Sequence, residues 1–226
     1  MRVTLDGAPL VLAPPERPTL AQALSKAAAS ARARGRVIIE AKADGIALTD
    51  DQLSNPSDEP GPLREVTLTS AEPRALVKVT LDDAARAVGD LANDQRSSAA
   101  KIHAGRESEA LQQLQGIFNT WQTVKDIVDR AQALLEHNLD EVPLASVPKG
   151  ETVAVASKRL LNHLKSVRTS LTSQDWSSLA DTLEYDLCAE ADAWVKLLSA
   201  LADHVGELPA MNSPSDTQTN SEAKHS

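Results

Sequence analysis

REVTLTSAEPRALVKVTLDDAARAVGDL, residues 64–91, is where the pattern of this chain changes. Up to Ser70 apolar and polar residues alternate, the two-residue period of a strand with one buried face. From Pro73 onward the apolar residues recur every three or four positions, as Val77, Leu81, Ala84, Val88 and Leu91, which is the period of an amphipathic helix. Pro73 suits a first helical turn, where its missing N–H costs no hydrogen bond, and Gly105 marks the far end. A strand feeding directly into a long helix implies different architectures on the two sides of residue 72.

Working back from that junction, residues 2–12 read as a hairpin. RVTL and PLVL flank Asp6-Gly7, a pair that accepts the positive φ angles of a tight turn. A helix comes next, with Thr19 as N-cap, Gly35 as its stop, and Leu20, Ala23, Leu24 and Ala27 on the face that lies on a sheet. RVIIEAKADGIAL, residues 36–48, supplies a strand, an Asp44-Gly45 turn and a short strand, and SNPSDEPGP, residues 54–62, reads as a disordered loop before REVTLTS. The order strand, strand, helix, strand, short strand, strand is that of a β-grasp (ubiquitin-like) domain, expected over residues 1–71. Sulfur carriers and protein modifiers of that shape need a free C-terminal Gly-Gly. Here the last strand passes through Ser70 and Pro73 into a helix, so a docking role is expected in place of that chemistry.

Working forward, a second helix over about residues 107–138 carries Leu111, Leu114, Phe118, Trp121, Val124, Val128 and Leu135 inward. The tight turn at Gly105 makes it antiparallel to the first. LDEVPLASVPKGE, residues 139–151, is a longer connection. A third helix, its start left open around Thr152, turns Leu160, Leu161, Leu164, Val167 and Leu171 inward. Ser173 is expected to cap a fourth, from 174 to 205, with Leu179, Leu183, Leu187, Ala191, Trp194, Leu198, Leu201 and Val205 as its core face. Helices of about 30 residues are about 45 Å long. The expectation for residues 72–208 is an elongated antiparallel four-helix bundle of coiled-coil character, and the class of the whole chain is α+β. Tetratricopeptide arrays need shorter helices at a fixed repeat, which is absent. The polar, prolyl tail, residues 209–226, is expected to be disordered.

Composition narrows the function. A net charge of -9 opposes a phosphate backbone as partner, since nucleic-acid affinity rests on Lys and Arg displacing counterions. Arg32, Arg34 and Arg36 are too small a cluster to reverse that and read as a solvated helix end. Cys188 is the single cysteine, which excludes an internal disulfide and suits a reducing compartment. The N-terminal residues lack a signal-peptide core, and no apolar run reaches bilayer length, so the expectation is a cytoplasmic protein with no membrane partner.

SQDWSSLADTLEYDL, residues 173–187, sets an acidic and aromatic cluster on the fourth helix. Asp181, Glu184, Tyr185, Cys188 and Asp192 fall at helical spacings that suggest one stripe beside the leucine face. Such a stripe could coordinate a metal or receive a basic partner, or be solvated, as charged faces usually are. Trp176 covers a bundle end or anchors a partner, as interface tryptophans do. Trp176, Asp181, Glu184 and Tyr185 are therefore the partner-binding candidates. A di-metal site is not expected, because bundle sites of that kind use Glu-x-x-His pairs that this chain lacks. His103, His137, His163, His204 and His225 stand singly, and no phosphate loop, nucleophile elbow or H-E-x-x-H occurs. No catalytic residue, cofactor or metal is assigned.

The Asp-Gly turn of a small β-rich N-terminal domain, the helical hairpin turning at G-x-x-x-E-A (Gly105 to Ala110) and the late LADTLEYDL helix with Trp194 together resemble a group of uncharacterised bacterial proteins. The resemblance covers most of residues 1–205 and implies an architecture without an established activity; some of the group look like neighbours of motility systems. The leading expectation is a non-catalytic cytoplasmic interaction or adaptor protein with an unknown protein partner. A secretion or flagellar export chaperone-like protein is the second, although the chain has no recognisable chaperone motif. An enzyme or metal protein built on the Asp181 to Asp192 stripe is the third.

Overall fold

A computed structural model describes residues 1–12, 18–59, 62–144 and 146–208. The chain is α+β, and among the described residues it separates into two units, Met1–Ala75 and Leu76–Leu208, each with its own apolar core. The expected tail, residues 209–226, lies outside the described residues, as do Pro60 and Gly61 of the expected loop.

The first unit is a five-stranded mixed sheet with a helix on one face. The strands are β1 (Arg2–Leu5), β2 (Ala8–Pro9), β3 (Val37–Ala43), β4 (Ile46–Ala47) and β5 (Glu65–Ala71), in the order β2-β1-β5-β3-β4. β1 and β5 are parallel, with Thr4 opposite Thr67 and Leu5 opposite Leu68; the other pairs are antiparallel. Helix α1 (Leu20–Arg32) buries Leu20, Ala23, Ala27 and Ala31, whose small side chains allow close approach to Val3, Leu5, Val66 and Leu68. The second strand is shorter than PLVL suggested, spanning Ala8–Pro9, with one further bond from the Leu10 N–H to the Val3 carbonyl at 2.8 Å.

Both Asp-Gly turns adopt the left-handed region, with φ of 53° and 79° at Asp6 and Gly7 and 48° and 84° at Asp44 and Gly45. The aspartates do more than turn the chain. Asp44 accepts from the backbone N–H groups of Arg64 (3.0 Å) and Glu65 (2.8 Å) at the start of β5. Asp6 accepts from the backbone N–H and hydroxyl of Ser70 near its end (2.7 and 2.6 Å). Arg36 completes the latter cluster by donating to the Ser70 hydroxyl. Between the expected short strand and the expected loop, and overlapping the latter only at Ser54, lies a helix: α2 (Asp50–Ser54) is opened by a capping box between Thr49 and Gln52, the same device that Thr19 and Gln22 provide for α1.

The second unit is helical: α3 (Pro73–His103, entering it at Leu76), α4 (Glu107–Leu135), α5 (Val153–Ser173), and a final run of α6 (Trp176–Asp181), a π-helical turn (Thr182–Asp186) and α7 (Leu187–Glu207). At Gly105 (φ 69°) the Gly105 N–H returns to Ile102 and the Arg106 N–H to Lys101, so the chain reverses tightly. α4 then runs back along α3, Lys101 bonding Gln113 at 2.7 Å. The final run is antiparallel to α3, from Lys78 near Asp203 (3.1 Å) through Cys188 against the Ala92 carbonyl (3.5 Å) to His103 near Glu184 (3.8 Å). It is also antiparallel to α5, through Arg159 with Glu190 and His163 with Asp186.

Several expected positions shift. Leu111 (41% exposed) and Leu161 (51%) face outward, and Ala110 and Ile117 fill the core of α4 instead. Ser173 is not a cap. Gln174 takes the left-handed conformation (φ 56°) that closes α5, and Asp175 caps α6 by accepting from the Ser178 N–H at 3.0 Å. Thr152 resolves the open start of α5, its side chain accepting from the Val155 N–H. Among the described residues no helix is long and apolar enough to cross a membrane.

Candidate functional site

The expected stripe on the last helix does not form a single face. Within Thr182–Asp186 the helix widens, the Leu187 N–H reaching back five residues to the Thr182 carbonyl, and the extra residue rotates α7 relative to α6. Cys188 consequently turns inward, 4% exposed, while Asp181 and Asp192 remain in solvent. Burial pushes the Cys188 thiol above its ordinary pKa, with nearby Asp192 and Glu184 adding to the rise and Arg96 opposing it. Glu184 lies 3.8 Å from His103 and Asp186 lies 4.0 Å from His163, with Tyr185 exposed between them. Trp176 is half buried against the helical core. Among the described residues no three His, Cys, Asp or Glu side chains are grouped to hold a metal ion.

A cluster that the sequence pattern did not reveal lies one turn beyond Asp186. Glu190 is 2% exposed yet carries a carboxylate, and its surroundings explain how it is tolerated. Arg159 of α5 donates to both its oxygens, Nε to Oε2 at 2.5 Å and Nη2 to Oε1 at 3.2 Å. Trp194 donates its indole N–H to Oε1 at 2.8 Å, and His163 Nε2 stands 3.8 Å from Oε2. The other edge of the guanidinium bonds both oxygens of Glu151, just before α5. Hydrogen bonds from Arg159 to Glu151 and then to Glu190 raise the guanidinium pKa further above its ordinary value, so it is a permanent cation. The arrangement is an anchor between α5 and α7.

That anchor borders a groove of about 630 Å³ between α4 and α5. Its floor is Trp121, Trp194 and Leu160, with Trp121 and Trp194 packed edge to face at 6.0 Å and 69°. Phe118 and Leu164 are half buried along its walls, and Leu161 stands half exposed at its mouth. Lys125, Lys158 and Arg168 contribute the charges of the lining, and no acidic side chain does. The apolar surface that the groove offers to water is that of Leu161, Phe118 and Leu164, above buried Trp121 and Trp194, and with cations beside it this chemistry suits a ligand with an apolar face better than a catalytic step.

Both features were partly visible. Phe118, Trp121 and Leu164 fall at core spacing, so periodicity assigned them to the interior and gave no sign that α4 and α5 part at this level. Glu190 stands one position before the predicted core residue Ala191, and only its four-residue spacing to Trp194, a donor in need of an acceptor, hinted at its burial. No protein-family model, curated protein or solved structure matches the chain.

Proposed function

We propose that the chain is a non-catalytic interaction protein of the cytoplasm, in which Met1–Ala75 is a β-grasp (ubiquitin-like) unit, Leu76–Leu208 is an elongated antiparallel four-helix bundle, and the groove between α4 and α5 holds a segment of a protein partner. The strand order β2-β1-β5-β3-β4, with parallel β1 and β5 central and α1 across one face, supports the first assignment. The antiparallel contacts of α3 and α5 with the final helical run support the second. The observation that carries the function is Leu161, 51% exposed at the mouth of a groove floored by two tryptophans. Leaving such surface in water costs about 25 cal/mol per Å², which a partner's apolar side chains recover on binding.

The test is co-purification from the native host with the wild type and Leu161→Asp. The reading expects a partner that the wild type retains and the variant loses while its helicity is unchanged. Equal recovery by both, or loss only with Tyr185→Ala, would move the binding surface to the π-helical turn. A secretion or flagellar export chaperone-like role is the second reading, favoured by the same groove of leucines and tryptophans open on one side. It differs in the client's state: a chaperone-like protein binds an unfolded segment, whereas an adaptor binds its partner folded.

A further inference from the structure

We infer that the occupant of the α4–α5 groove is an acidic amphipathic helix; this rests on the groove reading above and adds the chemistry of the partner. The charge of α5 is the first argument. In a chain of net charge -9, Val153–Ser173 carries Lys158, Arg159, Lys165 and Arg168 and no Asp or Glu. Arg159 is consumed by Glu151 and Glu190. Lys125, across the groove, is held by Asp129 at 2.5 Å. Lys158, Lys165 and Arg168 are exposed and, among the described residues, have no ion-pair partner. Their spacing sets them around Leu161 on one stripe of α5, so three uncommitted cations surround the half-exposed apolar residue. Cations so placed select an anionic partner and speed its encounter.

Shape is the second argument. The groove runs along α5 from Ser157 to Arg168, about 16 Å at the helical rise, which is three turns of an occupant. Because it is open along one side, an acyl chain lying in it would keep much of its apolar surface in water. A helix lays its apolar residues on Leu161, Leu164 and Phe118 and keeps its polar face outward. Glutamates or aspartates flanking those apolar residues then meet Lys158, Lys165 and Arg168.

The test uses the full chain and two labelled three-turn peptides without tryptophan, sharing leucines at helical i, i+4 and i+7 positions and flanked by Glu in one and Lys in the other. Fluorescence anisotropy at low salt is expected to show binding of the Glu peptide, weakened about tenfold or more by the double substitution Lys158→Glu and Arg168→Glu and by added salt, with the Lys peptide showing the reverse preference. Equal binding of both peptides to the wild type, abolished by Leu161→Asp, would overturn the acidic occupant and leave the groove reading standing. Binding of neither peptide, or binding indifferent to Leu161→Asp, would overturn both. Laurate binding where the Glu peptide does not would replace the helix with a small amphiphile.

Discussion

Trp194 donates its indole N–H to Glu190 Oε1 at 2.8 Å, one turn away on α7, and so ties the floor of the groove to the ion pair that joins α7 to α5. Trp121, packed against the same ring, has an indole nitrogen with no acceptor among the described residues. Two like substitutions should therefore differ. Trp194→Phe withdraws a donor from a buried carboxylate and is expected to cost about 1–3 kcal/mol beyond the packing change, whereas Trp121→Phe loses packing alone. Urea melts of both variants measure this, and equal losses would remove the hydrogen bond from the account.

Arg159→Ala should also be damaging, because it leaves Glu190 buried without its counter-charge. A fully buried pair broken this way costs about 3–5 kcal/mol, and the half-open guanidinium lowers the expectation to about 2–3 kcal/mol. Replacing the pair together, with Arg159→Met and Glu190→Gln, should recover part of the loss. A thermal-melt double-mutant cycle checks the coupling, which vanishes if the two residues act independently.

The periodicity of the last helix was legible where its core residues were concerned: Leu179, Leu183 and Leu187 are all fully buried. It failed for polar and charged neighbours, because the π-helical turn at Thr182–Asp186 shifts the phase and nothing in the residues there announces a five-residue reach. Leu183→Ala is expected to cost about 2–5 kcal/mol, the usual penalty of a cavity in a packed core. Glu184→Ala, removing a half-exposed carboxylate, should change stability by less than about 1 kcal/mol. Denaturant melts compare the two.

In the first unit the hairpin turns were read correctly from Asp-Gly, while the reach of Asp6 to Ser70 was not, since a contact across 64 residues leaves no local pattern. The Ser70 hydroxyl and backbone N–H, with Arg36 and Arg34 nearby, hold the Asp6 carboxyl below its ordinary pKa. A depressed folded-state value means that the contribution is complete above the ordinary carboxylate range and is lost as the pH falls through the lower, folded value. Acid titration of the Met1–Ala75 amide resonances in the full chain should show this loss, and Asp6→Asn should flatten it. An unchanged acid profile in the variant would assign the dependence to other carboxylates.

α2 shows how a signal can be present and go unread. Thr49-Asp50-Asp51-Gln52 matches the capping box that Thr19 and Gln22 form, but no apolar periodicity succeeds it in five residues, so pattern reading passed over it.

Cys188 is buried with its thiol pKa raised, so it stays protonated at neutral pH and out of reach of reagents. Ellman's reagent should label it only as fast as the helical unit opens, and denaturant should bring the reaction to completion. Prompt labelling of the native protein would mean that the helices around Ala92 and Leu183 part far more readily than their packing implies.

Site-specific photocrosslinking in the native host addresses the groove most directly. With benzoylphenylalanine at position 161, in the mouth of the groove, ultraviolet exposure should yield a discrete protein adduct; the same probe at Val79, exposed on α3 (57%), should yield none. An adduct at Val79 but not at position 161, or none at either beside one at Tyr185, would contradict the assignment of the α4–α5 groove as the surface that holds the partner.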